Sequence, residues 1–194
     1  MAELRGYINR VMQVITGKFR GRKLKSVPTT QTRPTLGRVK ESIFDMINEY
    51  IPNSVVLDLF AGSGALGIEC ISRGAKQTVF VDSQKESLQT IKTNLKNDLS
   101  QAKLIKADYG DAIHMLSKLN IKFNLVLLDP PFDSDYAEKS LYLLHKNNLL
   151  EGDAIIMCET SIKKVLQNYP QKYIIIKNKS YGTIGVTLLK YIKD

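Results

Sequence analysis

The sequence contains few of the residues on which small secreted or metal-stabilised domains depend. Its 194 residues include no tryptophan and only two cysteines, Cys70 and Cys158, which lie far apart. Such a pair is not a disulfide framework, and no Cys/His cluster has zinc-ligand spacing, so we expect no metal site and a reducing compartment. No apolar run approaches the roughly 20 residues of a membrane span, and the N-terminus lacks a signal-peptide core. We therefore expect a cytoplasmic protein without a membrane partner.

Acidic residues are almost absent from the first 40 positions. These positions hold ten Lys and Arg side chains and one acid, whereas the remaining 154 residues hold eighteen of each sign. The net charge of +9 is thus carried by the first fifth of the chain. Clustered basic side chains are typical of proteins that bind a polyanion, most simply a nucleic acid; a solvated basic tail is the alternative. Residues 1–11 are interpreted as an addition ahead of a start at Met12.

The N-terminal part is predicted to be a small basic appendage. Partial alternation at 11–16 and strand-like residues at 22–27 predict a β-hairpin, and a loop follows. A helix is predicted to begin at about Thr35 and to end at Pro52. We place the boundary between an appendage, residues 1–35, and a main domain, residues 36–194.

The main domain alternates between strands and helices. Strands are predicted at 54–60, 77–82, 102–107, 123–128 and 154–159. Helices are predicted between and after them, at about 65–73, 84–97, 109–119, 135–146 and 161–168. The last two strands, 172–179 and 184–192, have no helix between them and predict an antiparallel hairpin. We expect an α/β fold with a doubly wound, mostly parallel sheet of seven strands.

A glycine-rich turn follows the first strand of this sheet. Gly62, Gly64 and Gly67 form a G-x-G-x-x-G pattern, in which glycine permits a tight turn and close approach of a ligand to the main chain. The pattern alone also fits a dinucleotide site. Asp58 at the strand end argues against it, because a carboxylate would repel a pyrophosphate but attract a sulfonium and an ammonium group. We therefore predict S-adenosylmethionine as the cofactor.

Acidic residues end four successive strands, at Asp58, Asp82, Asp108 and Asp129. Parallel strands bring their carboxyl ends to one edge of the sheet, where such folds bind ligands. Asp82 can accept from both ribose hydroxyls of a bound nucleoside and Asp108 from the adenine amine; a helix N-cap is the alternative for each. The predicted cofactor-binding residues are Asp58, Phe60, Gly62, Gly64, Asp82 and Asp108.

The motif Asp129-Pro130-Pro131-Phe132 follows the strand at 123–128 and is rigid because of its two prolines. An aromatic exocyclic amine is a poor nucleophile. The Asp129 carboxylate and the Pro130 carbonyl can each accept one of its N–H groups and direct its lone pair toward a methyl donor. Phe132 can stack on the base, which must leave its own stack to reach the site. We predict that Asp129, Pro130 and Phe132 are catalytic; a stiff strand exit is the alternative.

With these motifs the chain resembles the RsmD-type 16S rRNA guanine-N2 methyltransferases, from about Met12 to the C-terminus. The resemblance is carried by residues 15–24, 32–35, 38–41, 58–64 and 129–132. It implies transfer of a methyl group to N2 of a guanine in small-subunit ribosomal RNA, within an assembled or assembling particle, and makes residues 36–194 the methyltransferase domain. We expect a monomer.

The resemblance also implies an RNA-binding role for basic residues of the N-terminal part. It implies that the hairpin grips RNA phosphates through Lys18, Arg20, Arg22 and Lys23. It places a loop and helix start over the cofactor and target pocket, with Arg33, Thr35 and Arg38. Two positions depart from the family pattern, Thr16 and Asp82, where Gly or Ser and Glu are common; neither change removes a chemical group that the reaction needs.

Two other functions remain open on the sequence. An adenine-N6 methyltransferase acting on RNA or DNA uses the same acidic motif, and only the N-terminal resemblance favours guanine. A non-catalytic RNA-binding assembly factor on a relic methyltransferase fold is the alternative from another class. The intact cofactor and catalytic positions argue against it.

Overall fold

Helices and strands alternate along the chain in a computed structural model, which describes residues 12–28, 37–132, 134–164 and 166–193. The helices are α1 Gly37–Ile47, α2 Ala65–Ser72, α3 Lys85–Leu95, α4 Tyr109–Ser117 and α5 Tyr136–Lys146, with a short 3-10 helix, Asn48–Tyr50, after α1. The strands are β1 Val55–Asp58, β2 Gln77–Asp82, β3 Ala102–Lys106, β4 Phe123–Leu128, β5 Leu150–Ser161, β6 Tyr173–Tyr181 and β7 Ile184–Tyr191. None of the described helices has the length and hydropathy needed to cross a lipid bilayer.

The seven strands form one sheet in the order β3-β2-β1-β4-β5-β7-β6. The first five in this order pair in parallel, while β7 runs antiparallel to both β5 and β6. Because β1 lies between β2 and β4, the strand order reverses there, and ligands of such folds bind at the carboxyl edge beside that reversal. The predicted doubly wound sheet with a C-terminal antiparallel hairpin is confirmed.

Both faces of the parallel part of the sheet are covered, as a parallel sheet requires. On one face, α4 and α5 pack over a buried layer that includes Leu57, Val126 and Ile156. On the other face, α1, α2 and α3 pack over layers that include Val56, Leu125 and Phe80. Alternate strand residues therefore enter opposite layers, and the central strands β1, β2 and β4 are mostly apolar.

Residues 12–28 form a compact turn that packs on α2 and α3. An isolated bridge pairs Gln13 with Lys23, so the predicted hairpin is present as a turn without a regular ladder. Gly17, at φ +86°, brings the turn against the end of α2, where a Cβ would lie 1.8 Å from the Ser72 carbonyl oxygen. The turn is fixed by apolar contacts between its buried residues and those of α2 and α3, among them Val14, Phe19, Leu24, Ile68, Ile71, Ile91 and Leu95.

The helix predicted at 161–168 is wrong. Strand β5 continues to Ser161, which pairs with Ile184 of β7, and the N–H of Ile162 then donates to the Thr183 carbonyl at 2.9 Å. Farther on, the Glu138 carboxylate accepts from the backbone N–H groups of two loop residues, Gln167 at 2.6 Å and Asn168 at 3.0 Å. Pairing with a distant strand and with α5 supplies hydrogen bonds that a local helix would otherwise have made.

Candidate active site

The carboxyl edge of the parallel strands gathers the four acidic residues that the sequence singled out. Asp58 and Asp82 are the last residues of β1 and β2, Asp108 follows β3 after one residue, and Asp129 directly follows β4. Because these strands are parallel neighbours, the four residues emerge on the same side of the sheet. The backbone positions of the four acids therefore lie at one edge of the sheet, as predicted.

The glycine loop is held in place by two of these carboxylates. The N–H of Gly62 donates to Asp82 Oδ2 at 2.9 Å, and the N–H of Gly67 donates to Asp58 Oδ2 at 3.0 Å. Gly62 and Gly64 have positive φ angles of 50° and 77°, which glycine adopts without strain. A Cβ on Gly67 would lie 2.3 Å from the Phe80 ring, so the third glycine permits close packing of α2 on β2.

Asp58 is a buried carboxylate with unusual electrostatics. It is 2% exposed, and this burial raises its pKa to about 7; the Gly67 hydrogen bond partly opposes the rise, and the nearby charges of Asp129 and Asp82 add to it. A cationic group placed beside Asp58 would favour its ionised form. The site therefore fits the ammonium and sulfonium groups of the predicted cofactor better than it fits an anion.

Asp82 and Asp108 also organise the loops at this edge. Besides holding Gly62, Asp82 accepts from the N–H of Gln84 at 2.8 Å, just ahead of α3. Asp108 caps α4, because its Oδ1 accepts from the N–H of Gly110 at 2.9 Å. Asp108 is therefore a helix N-cap, which is the alternative role that the sequence left open. A carboxylate oxygen can accept a second hydrogen bond, so capping leaves the predicted nucleoside contacts available.

The Asp-Pro-Pro-Phe motif leaves the sheet beside the glycine loop. Asp129 is half-buried and Pro130 is buried, whereas Phe132 is 42% exposed. The Pro131 carbonyl accepts from both the N–H and the hydroxyl of Ser134, at 3.2 and 2.7 Å, which turns the chain after the motif. The motif thus places a carboxylate and a carbonyl near the sheet and an aromatic ring toward solvent.

Comparison with known proteins shows to which family the chain belongs. The family model described as conserved hypothetical protein 95 matches residues 12–190. The chain belongs to this family. Its relatives include YlbH of Bacillus subtilis, which carries an rRNA methyltransferase name and is 39% identical over 181 residues, covering 92% of this chain and 98% of that protein. The Ribosomal RNA small subunit methyltransferase D of Haemophilus influenzae is 37% identical over 180 residues, covering 91% and 92%.

A solved structure agrees with the sequence comparison. The protein yhhF of Escherichia coli, which carries a methyltransferase name, matches with a TM-score of 0.83 and 28% identity, over 95% of this chain and 99% of that chain. Fold and family together confirm the predicted enzyme class. The chain is a methyltransferase of the S-adenosylmethionine-dependent class, and the cofactor inferred from Asp58 and the glycine loop is the one that this class uses.

An aromatic cluster in the methyltransferase was only partly foreseen. The ring of Phe60, a predicted cofactor contact, stacks nearly parallel to Tyr136 at 6.3 Å and lies 5.6 Å from Tyr109. Tyr109 and Tyr136 are 4.9 Å apart. Each of the three follows a strand end or begins the next helix, and this position was a signal that sequence reasoning could have used. Flat rings at this edge suit a ligand with an aromatic base.

Arg22, one of the predicted RNA-binding residues, is tied to helix α3. Its guanidinium donates to Asp98 at 2.8 Å and to the Leu95 carbonyl at 3.2 Å, and it lies 3.7 Å from the centroid of the Phe19 ring. These contacts satisfy the C-terminal end of α3. Arg22 therefore has a structural role that its basic character did not reveal.

The other predicted RNA-binding residues that the structure describes are exposed. Arg20, Lys23 and Arg38 are exposed, and exposed Lys18 donates to the Gln101 side chain. Lys18 also donates its backbone N–H to Ser72 at 2.9 Å. Since α2 begins at the glycine loop and ends at Ser72, Lys18 lies about 11 Å along the helix from the loop, whereas Met12, at the start of the turn, contacts Ser63 of the loop at 3.6 Å. Arg33 and Thr35 lie outside the described residues.

A buried ionic network joins the N-terminal turn to α1 and α2. Glu69 is fully buried and accepts from Lys40 at 2.9 Å and from Arg73 at 3.0 Å. It also accepts from the backbone N–H groups of Ile15 and Thr16, at 2.8 and 2.9 Å. Sequence reasoning missed Glu69, because a lone acid in an apolar helix carries no motif.

Proposed function

We propose that this methyltransferase transfers a methyl group from S-adenosylmethionine to the exocyclic N2 of a guanine in small-subunit ribosomal RNA. The observation that carries the proposal is the convergence of the glycine loop and the Asp-Pro-Pro-Phe motif at one edge of the sheet. The names of the relatives of this chain point to ribosomal RNA as the substrate. The choice of N2 rests on the resemblance of the N-terminal motifs.

The residues at the edge fit the cofactor on electrostatic and steric grounds. Asp58 is a buried carboxylate that gains from a nearby cation, and a Cβ at Gly62 would meet nothing within 4 Å, so the loop leaves open space beside its backbone. Asp82 and Asp108 are the acceptors for the ribose and the adenine amine. When bound, the cofactor supplies an electrophilic methyl group on a sulfonium.

Asp129 and Pro130 position the amine of the guanine. Each accepts one N–H, which turns the nitrogen lone pair toward the methyl group. Such positioning contributes on the order of 7–11 kcal/mol in favourable cases. As the N–C bond forms and the S–C bond breaks, the nitrogen gains positive charge. The Asp129 carboxylate stabilises this charge, and one N–H proton then leaves through Asp129 to water. Phe132 stacks on the extruded base.

The proposed substrate context is a small-subunit particle in the cytoplasm, and the proposed active form is a monomer. A base inside a duplex cannot reach the edge of the sheet, so the target nucleotide must be single-stranded or flipped out. Exposed Lys18, Arg20, Lys23 and Arg38 are the described N-terminal residues proposed to contact phosphates, whereas Arg22 is tied to the end of α3.

The identity of the product tests the proposal. Small subunits from cells that lack this gene would be incubated with the protein and labelled cofactor, and the RNA would be digested to nucleosides. We expect label in N2-methylguanosine. Label in N6-methyladenosine would overturn the choice of base, and no label in RNA or in particles would overturn the RNA substrate.

Replacement of the proposed catalytic carboxylate tests the mechanism. Asp129→Ala should lower kcat by about 10²–10³-fold, the usual cost of losing one preorganised polar contact. Cofactor affinity, measured by calorimetry, should stay within a few-fold of the wild-type value. An Asp129→Ala enzyme with full kcat would contradict the mechanism. The control is Asp111→Ala, which removes an exposed acid of α4 and should keep the wild-type kcat.

A further inference from the structure

A second basic segment lies at the C-terminal end of the chain. Residues 161–193 contain seven lysines and no acid, whereas residues 41–160 contain eleven basic and seventeen acidic side chains. The even balance beyond residue 40 therefore hides a strong separation of charge. A partner with negative charge would meet an attractive surface wherever these lysines are exposed together.

Two of the lysines lie side by side on the outer strand of the sheet. Strand β6 is one of the two edge strands of the sheet, and its residues 174–180 are all exposed. Lys177 and Lys179 pair with Leu188 and Val186 of β7, so both belong to one face of the sheet. Alternate residues of a strand are about 6.7 Å apart, a separation comparable to that of neighbouring phosphates along an RNA strand.

The charges of these two lysines are not neutralised within the described part of the chain. Neither forms an ion pair with a carboxylate there. Lys190 of β7 differs, because its ammonium lies 3.0 Å from Asp153. The edge strand thus presents a pair of free positive charges next to a compensated one.

The lysine pair leads toward the active-site edge. Strand β6 is antiparallel to β7 and ends at Tyr181, whose hydroxyl hydrogen-bonds with Ser42 of α1. Exposed Arg38 lies one helical turn before Ser42. Exposed Lys163 follows Ile162, which is bonded to Thr183 in the β6–β7 turn. Basic residues therefore continue from the edge strand to the carboxyl edge of the sheet.

We propose that Lys177, Lys179 and Lys163 form a second RNA-binding surface, which binds phosphates of the substrate RNA. In the order of strands, Asp129 after β4 lies between this surface at β6 and the N-terminal turn, which packs on α2 and α3. The RNA then crosses the active-site edge with a basic contact on each side. The proposal rests on the proposed function only in taking RNA as the substrate.

Edge-strand lysines have another use, since they prevent pairing with a second copy of the chain. That use needs positive charge but no RNA contact. It is relevant here because the exposed residues Ile174–Ile176 on the same strand would favour pairing with another strand. The two uses differ in the salt dependence of RNA binding. A phosphate contact releases counterions, whereas a charge that only prevents strand pairing does not.

The test measures RNA affinity against salt concentration for the wild type and for Lys177→Ala/Lys179→Ala, with deproteinised small-subunit rRNA and intact small subunits as probes. We expect weaker binding, with the slope of log affinity against log salt reduced by about 1 per lysine. KM for RNA should rise while kcat and cofactor affinity stay unchanged. Lys177→Arg/Lys179→Arg should restore the slope.

The matched control is Lys118→Ala/Lys146→Ala, which removes two exposed lysines at the C-terminal ends of α4 and α5. These ends lie toward the amino ends of the parallel strands, away from the active-site edge. It should keep the wild-type slope. A slope unchanged in the β6 variant, or reduced equally in the control, would overturn the proposal while leaving the methylation product as evidence for the proposed function. An unchanged slope with new dimers in analytical ultracentrifugation would assign the lysines to edge protection.

Discussion

Two buried carboxylates, one bonded to the start of helix α2 and one within the helix, differ in the charges around them. Asp58 is bonded to Gly67 in the first turn of α2, and Glu69 lies in the second half of the helix. Burial raises the pKa of Asp58 to about 7, and two further carboxylates add to the rise. Burial acts on Glu69 in the same direction, but Lys40 and backbone N–H groups outweigh it and hold the pKa of Glu69 below its ordinary value.

The difference separates a structural carboxylate from one at the proposed cofactor site. Glu69 has two cationic partners and two backbone donors, so its charge is satisfied by the fold itself. Asp58 has one backbone donor and negative neighbours, so a cationic ligand gains binding energy there. Two carboxylates that are both almost fully buried thus differ in role: Glu69 stabilises the N-terminal turn, and Asp58 lies at the proposed cofactor site.

The largest effect is expected from Glu69→Gln. The change leaves Lys40 buried without its anionic partner, and breaking a buried ion pair costs about 3–5 kcal/mol. Urea denaturation should show this loss, while kcat per folded molecule should stay near the wild-type value. Glu151→Gln, at an exposed position of β5, is the control and should change the free energy of unfolding by less than about 0.5 kcal/mol. An equally small loss in Glu69→Gln would mean that the network does not stabilise the turn.

Asp58→Asn should have the opposite pattern. Removing a charge-assisted contact to a cationic ligand costs about 1.5–3 kcal/mol, so calorimetry should show roughly 10- to 100-fold weaker cofactor binding. The free energy of unfolding of the cofactor-free protein should stay equal or rise, because the variant no longer buries an ionisable acid among like charges. Asp45→Asn, at an exposed position of α1, should alter neither quantity. A large loss of stability in Asp58→Asn would make Asp58 a structural residue like Glu69.

A pH dependence follows from the raised pKa of Asp58. If only the ionised carboxylate binds the cation, cofactor affinity should fall by up to about tenfold per pH unit as the pH drops below about 7, and Asp58→Asn should flatten the profile. In the cofactor-free protein, the stabilising contribution of Asp58 is present below its ordinary pKa and is lost as pH rises toward 7. The contribution of Glu69 has the opposite sign, since it is lost as pH falls through its lowered pKa. Calorimetry between pH 6 and 8 checks the first statement and denaturation across pH the others.

The sheet and the acidic edge could be predicted because both depend on local spacing. A strand followed by an acid and then by a helix fixes the backbone position of Asp58 or Asp82 once the strands are known to be parallel. The cluster of Phe60, Tyr109 and Tyr136 could not be predicted in the same way. Their positions at a strand end or a helix start indicate that the three residues lie at the carboxyl edge, but the ring-to-ring geometry depends on how three separate loops meet, and no spacing along the chain encodes that geometry.

Predictions failed or were incomplete where a distant partner decides the local structure. The extension of β5 to Ser161 depends on β7, which follows more than twenty residues later. The C-terminal lysines were hidden because charge was balanced over too long a window. Arg22 was assigned to RNA by its charge and its neighbours, although the end of α3 binds it. Long basic side chains have several possible partners, whereas a buried acid among backbone N–H groups has few.

The smallest expected effect compares two arginines of the N-terminal turn. Arg22→Ala should lower the free energy of unfolding by about 1–2 kcal/mol through lost contacts with the Leu95 carbonyl and the Phe19 ring. Its ion pair with Asp98 adds little, since Asp98 is 40% exposed. Exposed Arg20→Ala should leave stability unchanged and reduce the salt slope of RNA binding by about 1. Thermal denaturation and RNA titration of the two variants separate the roles. If Arg22→Ala reduced the slope as much as Arg20→Ala without loss of stability, both arginines would belong to the RNA surface, and the turn would be held by Glu69 and its apolar contacts.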